Sequence, residues 1–321
     1  MEITLPALIE QFCATKQIEG KAIKTVSWYR DCLFRFVKHL DDDRLPSFTL
    51  ENARSFIASL QEQENKWVGH PRNHEQEGKL SAFTIHGYVR ALKVFSSWLF
   101  EEGYTTQNLL LKLKKPKLPE PMIEVLTDEE LEKIMSVVNP NCFLGARLHI
   151  IVLLLLDTGL RASELCGLKM ADVDLNRGIL KVCGKGNKER IVPFGATTKK
   201  ALLRYIATWR PEPLPGVDTL VLSTDGSALT YWGLMHIIRR LSVRADIPRL
   251  HAHLFRHTFA VRYLMNGGDI MTLRLILGHT SLEVTQKYLH LAEEHIKIQH
   301  NQFSPVDRLG IRTKRKKMVS S

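Results

Sequence analysis

The stretch LKLKKPKLPEP, residues 111–121, constrains this chain more than any other, with three prolines and four lysines in eleven residues. Each proline lacks an amide donor and drives the residue before it out of helical space. The repeated positive charge extends such a segment further. An extended basic linker follows, and it divides the 321 residues into two domains.

The first domain, residues 1–110, reads as a helical bundle. Leu5, Leu8, Ile9 and Phe12 recur at helical spacing within Ile3–Gln17. Further amphipathic segments run over Ile23–Leu40 and Leu50–Gln61. A fourth can be capped by Ser81 and ended by Gly103, with Ile85, Tyr88, Val89, Leu92, Phe95 and Leu99 as its apolar stripe. Four helices with short joins make a small bundle. Between the third and fourth lies ENKWVGHPRNHEQEGKL, a polar surface excursion that is long for a compact bundle.

Beyond the linker the chain predicts a second domain over residues 122–300 and a basic tail over 301–321. Thr127 and Glu130 form a capping box that opens a helix. Ile150–Leu156 is an apolar run, too short to span a bilayer, and reads as part of a buried helix. The β-rich runs 179–183 and 189–194 flank GKGNK and predict a hairpin. Helices are expected at about 199–208, 231–245, 254–266, 270–277 and 281–292. The run RTKRKK, residues 312–317, predicts a disordered end. The fold class is mainly α with a small β-hairpin, an α+β chain.

Lys and Arg outnumber Asp and Glu by 45 to 34, a net charge of +11. Such an excess suits a polyanionic partner, although a basic surface also serves solubility alone. The five cysteines are scattered and form no CxxC pair, which argues against a disulfide framework or a zinc site. With no signal-like N-terminus, the expectation is a soluble intracellular protein.

Several residues suggest chemistry on a phosphodiester. Charge builds on the phosphoryl oxygens during transfer, and two guanidiniums present planar forks to them. Arg161, in TGLRASEL, and Arg256, in HAHLFRH, are the candidates. With such cations in place no metal or other cofactor is required, and no carboxylate cluster of the metal-site kind occurs. Tyr288 fits a nucleophile, because a tyrosyl phosphodiester keeps the energy of the broken bond. Its phenol, with an ordinary pKa of about 10, needs a base, and His253 is the candidate. Lys185, on the GKG turn, suits an acid for the leaving oxygen. Taken singly, each has an ordinary explanation: a tyrosine in a core, a capping histidine, a surface arginine, a solvated hairpin lysine. Only the ordered set speaks for catalysis.

That set resembles the tyrosine recombinase, or phage integrase, family, and its Xer-like two-domain members in particular. The likeness is carried by TGLRASELCGLKMADVD, GKGNKERIVPF, HLFRHTFAVRYLMNGGDIMTLRLILGHTSLEVTQKYLHL and the helical N-terminal domain. It implies a core-binding, SAM-like domain and a catalytic domain that clamp duplex DNA. By resemblance, Arg161 and Arg256 bind the phosphate, Lys185 is the general acid, His253 the base, His279 a phosphate hydrogen-bond donor and Tyr288 the nucleophile. Glu164 resembles the acidic position that supports Arg161, and His257 reads as packing.

The implied activity is strand cleavage to a 3′-phosphotyrosine, followed by exchange through a Holliday junction. Four copies would act on paired DNA sites, with a second recombinase or accessory protein as a further class of partner. The segment LAEEHIKIQHNQF, anchored by Leu291, Ile296, Ile298 and Phe303, would pass to a neighbouring copy or pack on its own domain. The task would be integration or excision of a mobile element, or resolution of replicon dimers, in the cytoplasm and at the nucleoid. The alternatives are a silent DNA-binding architectural protein of the same fold and a type IB topoisomerase-like relaxing enzyme.

Overall fold

A computed structural model describes residues 3–66, 76–119, 123–184, 188–279, 281–288, 300–301 and 304–308. The chain divides into two compact units, Met1–Pro121 and Met122–Ser321.

In the first unit, α1 (Leu5–Ile18), α2 (Ile23–Val37), α3 (Leu50–Glu62) and α4 (Ala82–Glu101) match the four expected helices. Thr49 and Ser81 cap α3 and α4 by accepting from the amides of Asn52 and Thr84 at 3.1 and 3.2 Å. The helices close over an aromatic core. Phe95 meets Phe12 and Phe48 edge to face, with centroids 5.4 and 5.3 Å apart. Such pairs add about 1 kcal/mol each beyond the area they bury. Two short strands, β1 (Asn65–Lys66) and β2 (Gln76–Glu77), pair antiparallel at the neck of the polar excursion. Its tip, 67–75, lies outside the described residues.

The start of the basic segment packs on the first unit. Leu110 and Leu113 are buried in the first unit, and Lys93 Nζ donates to the carbonyls of Leu110, Leu111 and Leu113 at 3.2, 2.9 and 2.9 Å. A lysine on α4 thus holds a turn that the prolines, all downstream of it, do not oppose.

The second unit contains α5 (Asp128–Ser136), α6 (Phe143–Thr158), α7 (Ala162–Gly167), a three-stranded antiparallel sheet, and α8 (Ala196–Arg204) through α13. The sheet is β3 (Val173–Asp174), β4 (Ile179–Cys183) and β5 (Glu189–Pro193), in that order. Leu180 pairs with Val192 on its buried face. α8 runs into a π turn, Tyr205–Trp209. Then come α9 (Tyr231–Arg244), α10 (Ala252–Met265), α11 (Ile270–Leu277), α12 (Leu282–Gln286) and α13 (Pro305–Arg308). The expected helix over 281–292 is described only to Gln286. The proposed exchange segment, apart from residues 300 and 301, and the 312–317 run lie outside the described residues.

The apolar run falls on α6, whose Ile150, Ile151, Leu154 and Leu155 are all buried in the main core of this unit. α10 packs across it. The capping box forms as expected, with Thr127 Oγ1 accepting from Glu130 N and Glu130 Oε2 from Thr127 N.

Gly159 ends α6 in the left-handed conformation, with φ of 60°. An added Cβ would stand 2.5 Å from Phe259 and 2.8 Å from Leu277. Gly159→Ala combines a left-handed penalty with overpacking, so it is expected to destabilise the unit by roughly 2–4 kcal/mol in urea unfolding. A change below about 0.5 kcal/mol would contradict this packing.

Candidate active site

The turn at Gly159 leads directly to Arg161, which precedes the first residue of α7. Glu164, one turn on, reaches back: its Oε2 accepts from the Arg161 amide and its Oε1 from Arg161 Nη1, both at 2.8 Å. A second guanidinium, Arg190 from β5, donates from Nη1 and Nη2 to the same two oxygens at 2.9 and 2.8 Å. Its Nε donates to the Ile276 carbonyl on α11 at 2.7 Å. One buried carboxylate therefore ties α7, the sheet and α11 together. Burial alone would raise its pKa, but the Arg190 and Arg161 bonds outweigh it and bring Glu164 down to about 2.

α10 supplies the next three groups. Positions 253, 256 and 257 are three and four apart, so they share one side of the helix. Arg256 is only 3% exposed. Its Nη1 donates to the Gly159 carbonyl at 2.6 Å, and its Nη2 to the Leu277 carbonyl at 2.7 Å and to His279 Nε2 at 2.9 Å. Burial and the Arg161 charge lower its pKa to about 10, which leaves it charged at neutral pH.

The arginine has only protons to offer, so His279 Nε2 must accept. The His279 proton then sits on Nδ1, facing Thr285 Oγ1 at 2.9 Å. Burial and the Arg256 and Arg161 charges hold His279 down at about 4.

Tyr288 follows α12, with its amide donating to the Thr285 carbonyl at 3.0 Å. It is 4% exposed. Its ring stacks on His279 with centroids 6.4 Å apart and planes 12° from parallel. Its hydroxyl meets His257 Nδ1 at 2.9 Å. Burial raises the phenol pKa, with Arg256 and Arg161 opposing. His253 is exposed, and its pKa is lowered by the protein packed around the ring and by Arg256.

Arg161, His253, Arg256, His279 and Tyr288 all line one open cavity of about 610 Å³. Of the six expected residues only Lys185 lies outside the described residues. Gly184 and Lys188, which bracket it in the sequence, line the same cavity. Among the described residues, no group of three or more His, Cys, Asp or Glu could hold a metal ion. The cavity also takes in Arg274 from α11, whose buried Nε has no hydrogen-bond partner among the described residues. Guanidiniums converging on an open cleft make an anion site, and a phenol lies within it.

His257 corrects the sequence reading, which took it for packing: it is the partner of the Tyr288 hydroxyl. Its spacing of four from His253 was the available signal. Arg190 has no such signal, because nothing in the sequence joins a hairpin arginine to a glutamate 26 positions away.

The Glu164 pKa shift yields a pH-dependent prediction. The folded value lies below the ordinary one near 4.5, so the contribution is complete above about pH 4.5 and vanishes as pH falls through about 2. It is worth about 3 kcal/mol. Glu164→Gln should lower stability by that order at pH 7, and the gap in urea midpoints should narrow below pH 4.5. A gap that stays constant with pH would contradict the assignment.

Residues 124–295 match the phage integrase family. The chain is 33% identical over 302 residues to the tyrosine recombinase XerC of Oceanobacillus iheyensis, covering 91% of this chain and 94% of that one. It is 32% identical over 305 residues to XerD of Listeria monocytogenes serotype 4b, covering 93% and 98%. Among solved structures, the XerH site-specific recombinase bound to a palindromic difH substrate aligns with a TM-score of 0.70 at 22% identity, over 94% of this chain and 85% of that one. The Tn1549 transposon integrase with right-end DNA gives 0.71 at 19%, over 94% and 100%. These structural likenesses bear on the fold. No helix among the described residues is long and apolar enough to cross a membrane. The chain belongs to the phage integrase family and is a Xer-like tyrosine recombinase, an enzyme of site-specific DNA recombination.

Proposed function

We propose that Tyr288 attacks a DNA phosphodiester held by Arg161 and Arg256, forming a 3′-phosphotyrosine and freeing a 5′-hydroxyl. The observation that carries this reading is the shared cavity, which brings the phenol and both guanidiniums together. Charge that develops on the non-bridging oxygens meets groups already fixed by other bonds, so little reorganisation is needed. His279 hydrogen-bonds the same phosphate once its Nε2 releases Arg256 and carries the ring proton, since here Nε2 accepts from Arg256 and Nδ1 faces Thr285. His253, exposed at the cavity and depressed in pKa, takes the phenol proton. Lys185, between Gly184 and Lys188 in the sequence, protonates the departing 5′-oxygen. The arginines neutralise the phosphate without a metal, and the tyrosyl ester conserves bond energy without ATP.

The first unit binds core-site duplex, and residues 122–300 carry the chemistry. Released 5′-hydroxyls attack the partner duplex through a Holliday junction, within a tetramer on paired sites. The segment after Tyr288 links neighbouring copies. The natural task is integration and excision of a mobile element or resolution of replicon dimers, in the cytoplasm at the nucleoid.

Tyr288→Phe should abolish the covalent adduct on a nicked suicide duplex and leave duplex binding within about two-fold. An adduct that persists would refute the nucleophile. Lys185→Ala should slow cleavage of ordinary DNA by roughly 100-fold or more and recover on a 5′-thio leaving group, which needs no acid. A rate as slow on the thio substrate would remove Lys185 from that role.

A further inference from the structure

The Tyr288 hydroxyl is bonded not to the exposed His253 but to His257, one turn further along α10. Nδ1 of His257 lies 2.9 Å from the phenol oxygen, and the two ring centroids are 5.7 Å apart. His279 lies nearly parallel to the phenol ring at 6.4 Å. Two imidazoles therefore flank the phenol: His279 lies along its ring, and His257 Nδ1 meets its hydroxyl. A hydroxyl hydrogen turns freely unless an acceptor claims it. If it turned into the cavity, it would face an anionic phosphate as a donor, with its lone pairs directed elsewhere.

We propose that His257 is a positioning residue for the nucleophile. Its Nδ1 accepts a hydrogen bond from the Tyr288 hydroxyl and thereby turns an oxygen lone pair toward the cavity where the guanidiniums lie. This rests on the reading of Tyr288 as the nucleophile.

The state of His257 agrees with this role. Its pKa is pushed down to about 4 by burial, then by its neighbours His253, His251 and Arg256. The ring is therefore neutral at physiological pH. With Nδ1 accepting, its hydrogen resides on Nε2. So weak a base does not retain the phenol proton once the oxygen attacks phosphorus. His257 is therefore not the base, a role that falls to His253, and the part left to His257 is orientation. His253 stands beside it, with ring centroids 6.3 Å apart.

The test is single-turnover adduct formation by the full-length protein on a suicide duplex, with duplex affinity measured in parallel. His257→Ala and His257→Leu should each slow adduct formation by about ten-fold, the worth of one hydrogen bond, with affinity within two-fold. His257→Asn, whose side-chain oxygen reaches the place of Nδ1, should recover most of the rate. Should the alanine protein fail to fold, the leucine and asparagine proteins decide the matter, since leucine fills space but accepts no proton. Wild-type rates for the leucine variant, or rescue by leucine and not by asparagine, would overturn the inference and leave the Tyr288 assignment standing. An adduct formed by Tyr288→Phe would instead remove the assignment beneath it.

Discussion

The site depends on the way Arg256 is held. Its guanidinium is nearly inaccessible, and a buried charge is costly unless its protons are engaged. It meets that cost with two backbone carbonyls, Gly159 at the end of α6 and Leu277 at the end of α11, and with His279. Helix C-termini carry partial negative charge from unpaired carbonyls, so both ends favour a cation. The same bonds fix the relative placement of α6, α10 and α11. Gly159 makes the arrangement possible, because a side chain there would collide with Phe259. A glycine with no chemistry of its own thus sets both the bearing of Arg256 and the start of the turn to Arg161.

A second frame is built on Glu164, which binds Arg161 and Arg190 together and leaves a net positive charge. Around these fixed cations the ionisable rings are all shifted toward neutrality. The phenol is raised, and His257 and His279 are lowered to about 4. Each shift begins in burial, and for the imidazoles nearby positive charge adds to it. A neutral imidazole can accept a hydrogen bond from a guanidinium or a phenol, whereas an imidazolium cannot. The His279–Arg256 contact requires the neutral form, and the lowered pKa of His257 leaves its Nδ1 able to accept from Tyr288.

Much of this was legible in the sequence. The four helices of the first unit announce themselves through apolar spacing and the Ser81 cap, and the hairpin through β-rich runs around GKGNK. Arg161, His253, Arg256, His279 and Tyr288 were found by type and order, and the cavity gathers them. What escaped depends on long-range closure. Lys93 reaching the carbonyls of Leu110, Leu111 and Leu113 holds the start of the basic segment on the first unit. The Arg190–Glu164 pair joins a strand to a helix start, and neither residue signals the other. The spacing of four puts His257 on the His253 side of α10, but only the fold brings Tyr288 onto that side.

The central claim is that one phosphate sits between the Arg161 and Arg256 forks with the Tyr288 oxygen behind it. The most direct measurement is a crystal structure of the protein on a nicked core-site duplex with vanadate in place of the reacting phosphate. The account predicts vanadium bonded to Tyr288 Oη, with both guanidiniums within about 3 Å of its equatorial oxygens. Vanadate bound away from Tyr288, or held by neither arginine, would contradict it.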